Sequence, residues 1–208
     1  MPLLVMKLIS INAGKVAPLF TNQHPDHAVV MSGIKKSSIS NIDQANPVDI
    51  NTLGVMGDEQ ADLSVHGGLE KAIYVYPHEH YPFWNALLSR ELKTPFDLQP
   101  GAMGENFTIT GLLEADVFVG DRLQIGDLEF IVTKLREPCF KFNAKMRYKG
   151  AAKAMLQSGH CGWYIRVITP GKLMAGSTIN LQPGKQETAI ADQVRAILKR
   201  DIQRDLWD

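Results

Sequence analysis

The sequence predicts a mainly β protein of mixed α+β content, in which a β-barrel carries a few peripheral helices. Three observations support this prediction: many short strand-like segments, one clear hairpin, and few helical segments between the strands. The strand-like segments are bounded by turn residues and have the composition of strands. They are residues 5–11, 28–31, 72–75, 106–109, 122–125, 128–134, 163–168 and 178–181.

The hairpin is predicted within the stretch RLQIGDLEFIVT, residues 122–133. Gly126 and Asp127 separate two apolar-rich strands, and a glycine at this point supplies the backbone freedom that a tight turn needs. Further glycine-containing turns fall at Gly57 and Gly120. Short connections of this kind favour an antiparallel or mixed barrel over a sheet of alternating strands and helices.

Three segments show helical periodicity. The first starts at Pro77 and places five apolar side chains at helical spacing: Tyr81, Trp84, Leu87, Leu88 and Leu92. The second, residues 145–157, predicts one or two short helices that end at Gly159. The third starts at Thr188 and predicts an amphipathic helix on the barrel or on a partner. We therefore divide the chain into a barrel domain, 1–184, and a helical tail, 185–208.

Composition excludes several classes of protein. The 208 residues carry 22 basic and 22 acidic side chains, without the basic excess that is typical of nucleic-acid binders. No apolar run approaches the roughly 18 residues of a membrane-spanning helix, and the N-terminus lacks the cationic leader of a signal peptide. The two cysteines form neither a disulfide framework nor a zinc motif. We therefore expect a cytoplasmic protein without a membrane or nucleic-acid partner.

The first candidate functional stretch is GVMGDEQADLSVHGG, residues 54–68. It combines Asp58 and His66 with the glycine pair Gly67-Gly68, which allows close backbone approach to a ligand and can form an anion-binding nest. The alternative is a long loop with ordinary turn residues. The spacing of its acidic residues and His66 matches no standard zinc or calcium motif, so a metal held by the protein alone is not expected.

The second candidate stretch is GAMGENFTITG, residues 101–111, a loop that enters a strand. Asn106 could bind the edge of a heterocycle, and Glu105 could fix neighbouring amides or a cation. The alternative is a turn held by a side-chain hydrogen bond, and the stretch alone does not separate the two interpretations.

The third candidate stretch is KLREPCFKF, residues 134–142. Arg136 and Lys141 would favour the thiolate form of Cys139 if their side chains converge on it. Cys139 and Lys141 would share one face if a strand continued through Pro138, although a proline opposes such a strand. A buried structural cysteine is the alternative, and this is our interpretation of Cys161, which lies among glycine and apolar residues.

Taken in order, these stretches resemble the MOSC domain, named after the C-terminal domain of molybdenum cofactor sulfurases, in its stand-alone bacterial, YiiM-like branch. The resemblance covers roughly the first 180 residues and implies a β-barrel of the PK-like type. It is carried by six ordered motifs, SGIKK (32–36), GVMGDEQADLSVHGGLEKAIYVYPHEHYPFW (54–84), GENFTITGL (104–112), VGDRLQIG (119–126), REPCFKF (136–142) and CGWYIRVITPGKLMAG (161–176).

The resemblance implies that the protein binds molybdenum cofactor. In the related amidoxime-reducing enzymes the matching cysteine ligates molybdenum, which implies that role for Cys139, and a soft thiolate suits a metal in a sulfur-rich shell. His66 and Asp58 would deliver protons. The cofactor-binding residues implied are Lys36, Gly67, Gly68, Gly104, Glu105, Asn106, Arg136 and Lys141.

The implied activity is the reduction of N-hydroxylated compounds, such as 6-N-hydroxylaminopurine, to amines. The sequence shows no flavin, nicotinamide or iron–sulfur motif, so a separate reductase must donate the electrons. Two alternatives remain open: a carrier of sulfur or molybdenum cofactor that uses Cys139 without turnover, and a non-catalytic barrel that binds a small anion or a protein. A homodimer is a further interaction to test.

Two features depart from the family pattern. Stand-alone members carry about three helices after the barrel, whereas one helix-sized segment, residues 188–207, follows it here. Glu137 occupies a position beside Cys139 where a neutral or polar residue is expected, and its charge would partly offset that of Arg136.

Overall fold

The computed structural model describes residues 5–20, 29–61 and 67–205, and it describes the side chains as far as residue 200. Thirteen strands form one large and two small sheets. In chain order they are β1 Lys7–Ala13, β2 Ala17–Phe20, β3 Val29–Ser32, β4 Ser37–Asn41, β5 Val48–Asn51, β6 Gly54–Val55, β7 Ile73–Pro77, β8 Phe107–Thr110, β9 Arg122–Ile125, β10 Leu128–Leu135, β11 Trp163–Thr169, β12 Gly171–Leu173 and β13 Ile179–Gln182.

The large sheet has eight strands in the order β13-β9-β10-β11-β7-β8-β1-β4. Its neighbours are antiparallel, except for the parallel pair β7 and β8. The sheet curls until the segment that leads into β13 meets β1: the amide of Leu8 donates to the carbonyl of Ser177 at 3.0 Å, and the amide of Gly176 donates to the carbonyl of Leu8 at 2.8 Å. Large side chains fill the interior, among them fully buried Phe107 and Phe130. The predicted β-barrel fold is confirmed.

Composition and bounding turn residues predicted most strands of the large sheet correctly. Each of the eight predicted segments corresponds to a strand within one or two residues where it is described, and Gly126-Asp127 forms the predicted hairpin between β9 and β10. The sequence did not reveal β2, β4, β5, β6 and β12. These strands are short, and β4 reads SSISN, so they lack the alternating apolar pattern that indicates a strand.

Four helices accompany the sheets: α1 Tyr81–Leu92, α2 Phe140–Met146, α3 Ala151–Ser158 and α4 Ile190–Asp205. Helix α1 buries the predicted stripe against the barrel, with Trp84 and Leu88 fully enclosed. The preceding residues, His78–His80, form a separate 3-10 turn, so the α-helix begins at Tyr81 and not at Pro77.

The predicted helical stretch 145–157 is two helices, and the first begins earlier, at Phe140. Helix α2 ends at Arg147, which adopts the left-handed conformation with φ 54°. Helix α3 ends at Gly159, as predicted, with φ 76°. Because β10 ends at Leu135, the strand that would have placed Cys139 and Lys141 on one face does not exist, as the proline suggested.

The tail helix α4 lies on the barrel. Its first turns bury Ile190 and Val194 in the common core, and the amide of Leu135 donates to Oε1 of Gln193 at 2.8 Å. The domain boundary at residue 184 stays a prediction. In the described ranges, no helix combines the length and the apolar character needed to cross a bilayer.

Candidate functional site

A cleft of about 90 Å³ opens where four connections meet beside β7 and β11. These connections follow β3, follow β6, enter β8 and join β10 to α2. The cleft collects seven of the residues that the sequence predicted: Lys36, Asp58, Gly104, Asn106, Arg136, Cys139 and Lys141. Segments distant in the chain therefore form one site, which the order of motifs alone could not show.

Cys139 lies at the entrance to α2. Its thiol is half-buried, its backbone is extended, and its carbonyl accepts a hydrogen bond from the amide of Phe142 at 2.9 Å. Arg136 and Lys141 line the same cleft, as the sequence predicted. A partly exposed thiol that shares its cleft with Arg136 and Lys141 matches the setting in which cysteines act as ligands or nucleophiles.

Arg136 supplies a fixed positive charge beside this thiol. The side chain is buried, and its guanidinium carbon lies 5.3 Å from the centroid of the Tyr74 ring and 4.9 Å from that of Phe142. These cation–π contacts hold the guanidinium in place. Within the described residues no carboxylate forms an ion pair with Arg136, so its charge is not neutralised by an acidic side chain. A buried cation of this kind favours an anionic ligand.

Lys36, Asp58 and Asn106 form a hydrogen-bonded group in the lining of the cleft. Lys36 Nζ donates a short hydrogen bond to Asp58 Oδ1, which also accepts from the amide of Gly14 at 2.9 Å. Asn106 Nδ2 donates to Asp58 Oδ2 at 2.9 Å. Burial lowers the pKa of Lys36, and the Asp58 charge opposes that shift. The charge of Lys36 is thus largely balanced inside the protein, unlike that of Arg136.

Glu105 lies behind the cleft and is not among its lining residues. Its fully buried carboxylate accepts hydrogen bonds from the amides of Gly101 at 2.8 Å and Met103 at 2.9 Å. The hydroxyls of Thr108 and Tyr81 also donate to it. Glu105 therefore fixes the turn that precedes Gly104, which matches the expectation that it could hold neighbouring amides. A direct contact between Glu105 and a cofactor stays a prediction without support from this placement.

Two glycine-containing loops approach each other closely at the cleft. Gly104 has φ 86°, and a Cβ there would lie 2.8 Å from Cγ1 of Ile34. Lys145, which the sequence analysis did not assign, ties the same loops together because its Nζ donates to the carbonyls of Ile34 and Gly101, both at 2.8 Å. Burial lowers the pKa of Lys145 to about 7.

The remaining predicted residues are His66, Gly67 and Gly68. His66 is outside the described residues, so its role stays a prediction. Gly67 and Gly68 do not line the cleft; Gly68 has φ 82° and precedes the 3-10 turn Leu69–Lys71. That turn brings Lys71 to the cleft, an assignment that the sequence analysis missed.

Glu137 also lines the cleft, so the acidic neighbour that the sequence singled out is part of the site. Tyr74 and Tyr164 complete the wall next to Arg136, and their rings lie 5.6 Å apart. Both tyrosines belong to segments that were predicted only as strands, so their position at the cleft had no separate sequence pattern.

The surroundings of Cys161 differ from those of Cys139. It is fully buried, its Sγ lies 3.4 Å from the carbonyl of Met155, and burial raises its pKa to about 12. The interpretation of Cys161 as structural is confirmed.

The described residues contain no group of three or more histidine, cysteine, aspartate or glutamate side chains able to hold a metal ion. One thiol with a surplus cation suits a metal that arrives within an anionic, sulfur-rich cofactor. The donor set of this cleft therefore fits molybdenum cofactor better than a metal bound by protein ligands alone.

Comparison with known proteins places this chain in a family. The MOSC domain model matches residues 62–180. The chain is 36% identical over 148 residues to protein YiiM of Escherichia coli, which covers 71% of this chain and 64% of that protein. It is 41% identical over 125 residues to YflK of Bacillus subtilis, covering 60% of this chain and 54% of YflK. It is 36% identical over 178 residues to a protein named reductase from Gibberella moniliformis, covering 85% of this chain and 31% of that protein.

A solved structure supports the same relationship. The crystal structure of YiiM from Geobacillus stearothermophilus superposes with a TM-score of 0.67 at 30% identity, covering 91% of this chain and 82% of that one. The chain spans between about half and two thirds of YflK and YiiM and about a third of the fungal protein. The family model matches more than half of the chain, and the barrel agrees with it. The chain therefore belongs to the MOSC domain family.

Proposed function

We propose that this protein is a molybdenum-cofactor-binding oxidoreductase that reduces N-hydroxylated compounds to amines with electrons from an external donor. The observation that carries the proposal is the pair formed by Cys139 and Arg136. A half-buried thiol shares its cleft with a buried guanidinium that has no carboxylate partner in the described chain. Such a cleft favours an anionic ligand that a thiolate can also coordinate.

Molybdenum cofactor meets both conditions. When bound, it would supply a redox-active metal centre that passes two electrons from the donor to the substrate. Cys139 Sγ would hold the metal, and Arg136 would hold the anionic part of the cofactor, because its guanidinium is fixed by Tyr74 and Phe142. Lys141, which also lines the cleft, adds a second positive charge.

The overall reaction consumes two electrons and two protons. The N–O bond of the substrate breaks, the nitrogen leaves as the amine, and the oxygen leaves as water. The hydrogen bond from Lys36 Nζ to Asp58 Oδ1 holds a proton at the cleft wall. Because burial lowers the pKa of Lys36, this lysine releases its proton more readily than an exposed one.

The relatives add weight to an oxidoreductase. The fungal relative carries the name reductase, and the match to YiiM of Escherichia coli extends over most of this chain. Both relatives are longer than the matched region, so the substrate and the electron donor remain parts of the proposal.

The test compares Cys139→Ser with Cys161→Ala, both produced in a host that makes the cofactor. Molybdenum is measured by mass spectrometry of the purified proteins, and reduction of an N-hydroxylated purine is measured with a chemical reductant. We expect Cys139→Ser to lose molybdenum and activity and Cys161→Ala to keep both. Full molybdenum content and activity in Cys139→Ser would contradict the proposal. A persulfide on Cys139 without any reductase activity would favour the sulfur-carrier alternative.

A further inference from the structure

One continuous part of the chain contains no acidic residue. Residues 138–186 include eight lysines and arginines and no aspartate or glutamate, although the chain as a whole carries 22 charges of each sign. Five of these cations lie in α2, α3 and the turn between them: Lys141, Lys145, Arg147, Lys149 and Lys153. Although the net charge of the protein is zero, its acidic and basic residues are therefore unevenly distributed along the chain.

The outer cations of this region face solvent. Arg147, Lys149 and Lys153 are exposed, and no carboxylate pairs with any of them in the described chain. Some other exposed basic residues do have acidic partners: Lys15 lies 2.9 Å from Glu59, and Lys172 lies 2.9 Å from Asp49. In the described part of the chain, no ion pair therefore neutralises these three cations.

Apolar side chains lie next to these cations. Phe140 is 46% exposed and Met31 is 50% exposed, and Lys141 Nζ lies 3.4 Å from the carbonyl of Met31. We call this surface the basic hairpin face: Phe140, Met31, Lys141, Arg147, Lys149 and Lys153. It adjoins the cleft directly, because Phe140 and Lys141 follow Cys139 in the chain and Lys141 lines the cleft.

We propose that the basic hairpin face docks an acidic electron-donor protein, which delivers two electrons to the cleft beside Cys139. This inference rests on the proposed function. The donor is a flavoprotein whose fully reduced flavin is oxidised by two electrons, while the two protons of the reduction come from solvent. Charge complementarity speeds the encounter and orients the partner, and exposed apolar side chains supply the short-range contact.

The shape and position of the face favour a protein over other polyanions. Encounters between redox proteins use small surfaces, below roughly 1,200 Å², and this face combines apolar and basic groups over the span of two short helices. The face also ends at the thiol that would hold the redox centre, and electron transfer weakens steeply with distance.

Binding and electron delivery are tested separately. Protein without cofactor is titrated with an acidic flavodoxin at low and at physiological salt. We compare the wild type with Lys149→Glu/Lys153→Glu and with the control Lys185→Glu/Lys199→Glu, which changes the net charge equally at exposed positions outside the basic hairpin face. The first pair should weaken binding about tenfold or more and flatten its salt dependence, whereas the control should retain most of the wild-type affinity.

A second measurement uses the cofactor-loaded protein. Lys149→Glu/Lys153→Glu should raise the KM for reduced flavodoxin and leave the rate with a reduced viologen dye unchanged. Equal binding of flavodoxin by the wild type and this variant would overturn the docking site, as would a wild type that does not bind flavodoxin. Preferential binding to duplex DNA or to phosphatidylserine vesicles would overturn it too. If no variant reduces substrate even with viologen, the proposed function fails, but the titration still decides the docking site.

Discussion

The two cysteines of this chain show how surroundings decide what a thiol can do. Cys139 is half-buried at the start of α2 and shares its cleft with cations, whereas Cys161 is enclosed in the core next to Met155. Arg136 lies near both, yet burial dominates at Cys161 and raises its pKa to about 12. The comparison indicates that solvent access, more than a neighbouring cation, determines whether a thiol can react.

The largest expected effect is on alkylation. At neutral pH in the folded protein, iodoacetamide should modify Cys139 about 100-fold faster than Cys161, since burial both shields Cys161 and keeps it protonated. Peptide mass spectrometry over a time course measures the two rates. In urea the rates should become similar. Comparable rates in the folded protein would remove the contrast between the two thiols.

A smaller effect isolates the contribution of charge. Arg136→Met should slow the alkylation of Cys139 about tenfold, because the nearby guanidinium favours the thiolate form. Lys134→Met, which removes a positive charge outside the cleft lining, is the matched control and should change the rate little. Circular dichroism checks that the Arg136 variant keeps its fold. An unchanged rate in a folded Arg136→Met protein would show that exposure alone makes Cys139 reactive.

The smallest effect is on the free energy of unfolding. Here the substitution at Cys161 should cost more than the substitution at Cys139. Cys161→Ala should lower the free energy of unfolding by about 1–2 kcal/mol, because it leaves a small cavity in a packed core. Cys139→Ser should change it by less than about 0.5 kcal/mol, as is usual at partly exposed positions. Urea unfolding of both variants provides the comparison, and a larger loss for Cys139→Ser would reverse the assignment of roles.

The sequence revealed the barrel because apolar alternation and turn residues are local properties. Segments such as β9 and β10 carry that pattern within a few residues. It did not reveal β4, which reads SSISN and is held mainly by pairing with β1. Its serines are satisfied by distant groups: Ser38 lies 2.8 Å from the hydroxyl of Ser10, a contact between residues 28 positions apart.

The site was partly predictable for the same reason. Glycine-rich loops and the stretch around Cys139 are recognisable as motifs, and most of their predicted residues do meet in the cleft. Lys145 could not be assigned, because its role depends on two carbonyls, of Ile34 and Gly101, that only the fold brings to its ammonium group. Glu105 shows the converse: a conspicuous acid within a motif supports the loop from behind.

The pairing of Leu8 with Ser177 has a consequence for how the molecule assembles. The segment before β13 cannot join β1 until nearly the whole barrel segment has left the ribosome, and closing so long a loop costs entropy before any contact repays it. During that interval β13 and the start of β1 present unpaired edges, which are prone to associate with other chains. We therefore expect slow folding and a need for protection during synthesis, since productive closure competes with aggregation.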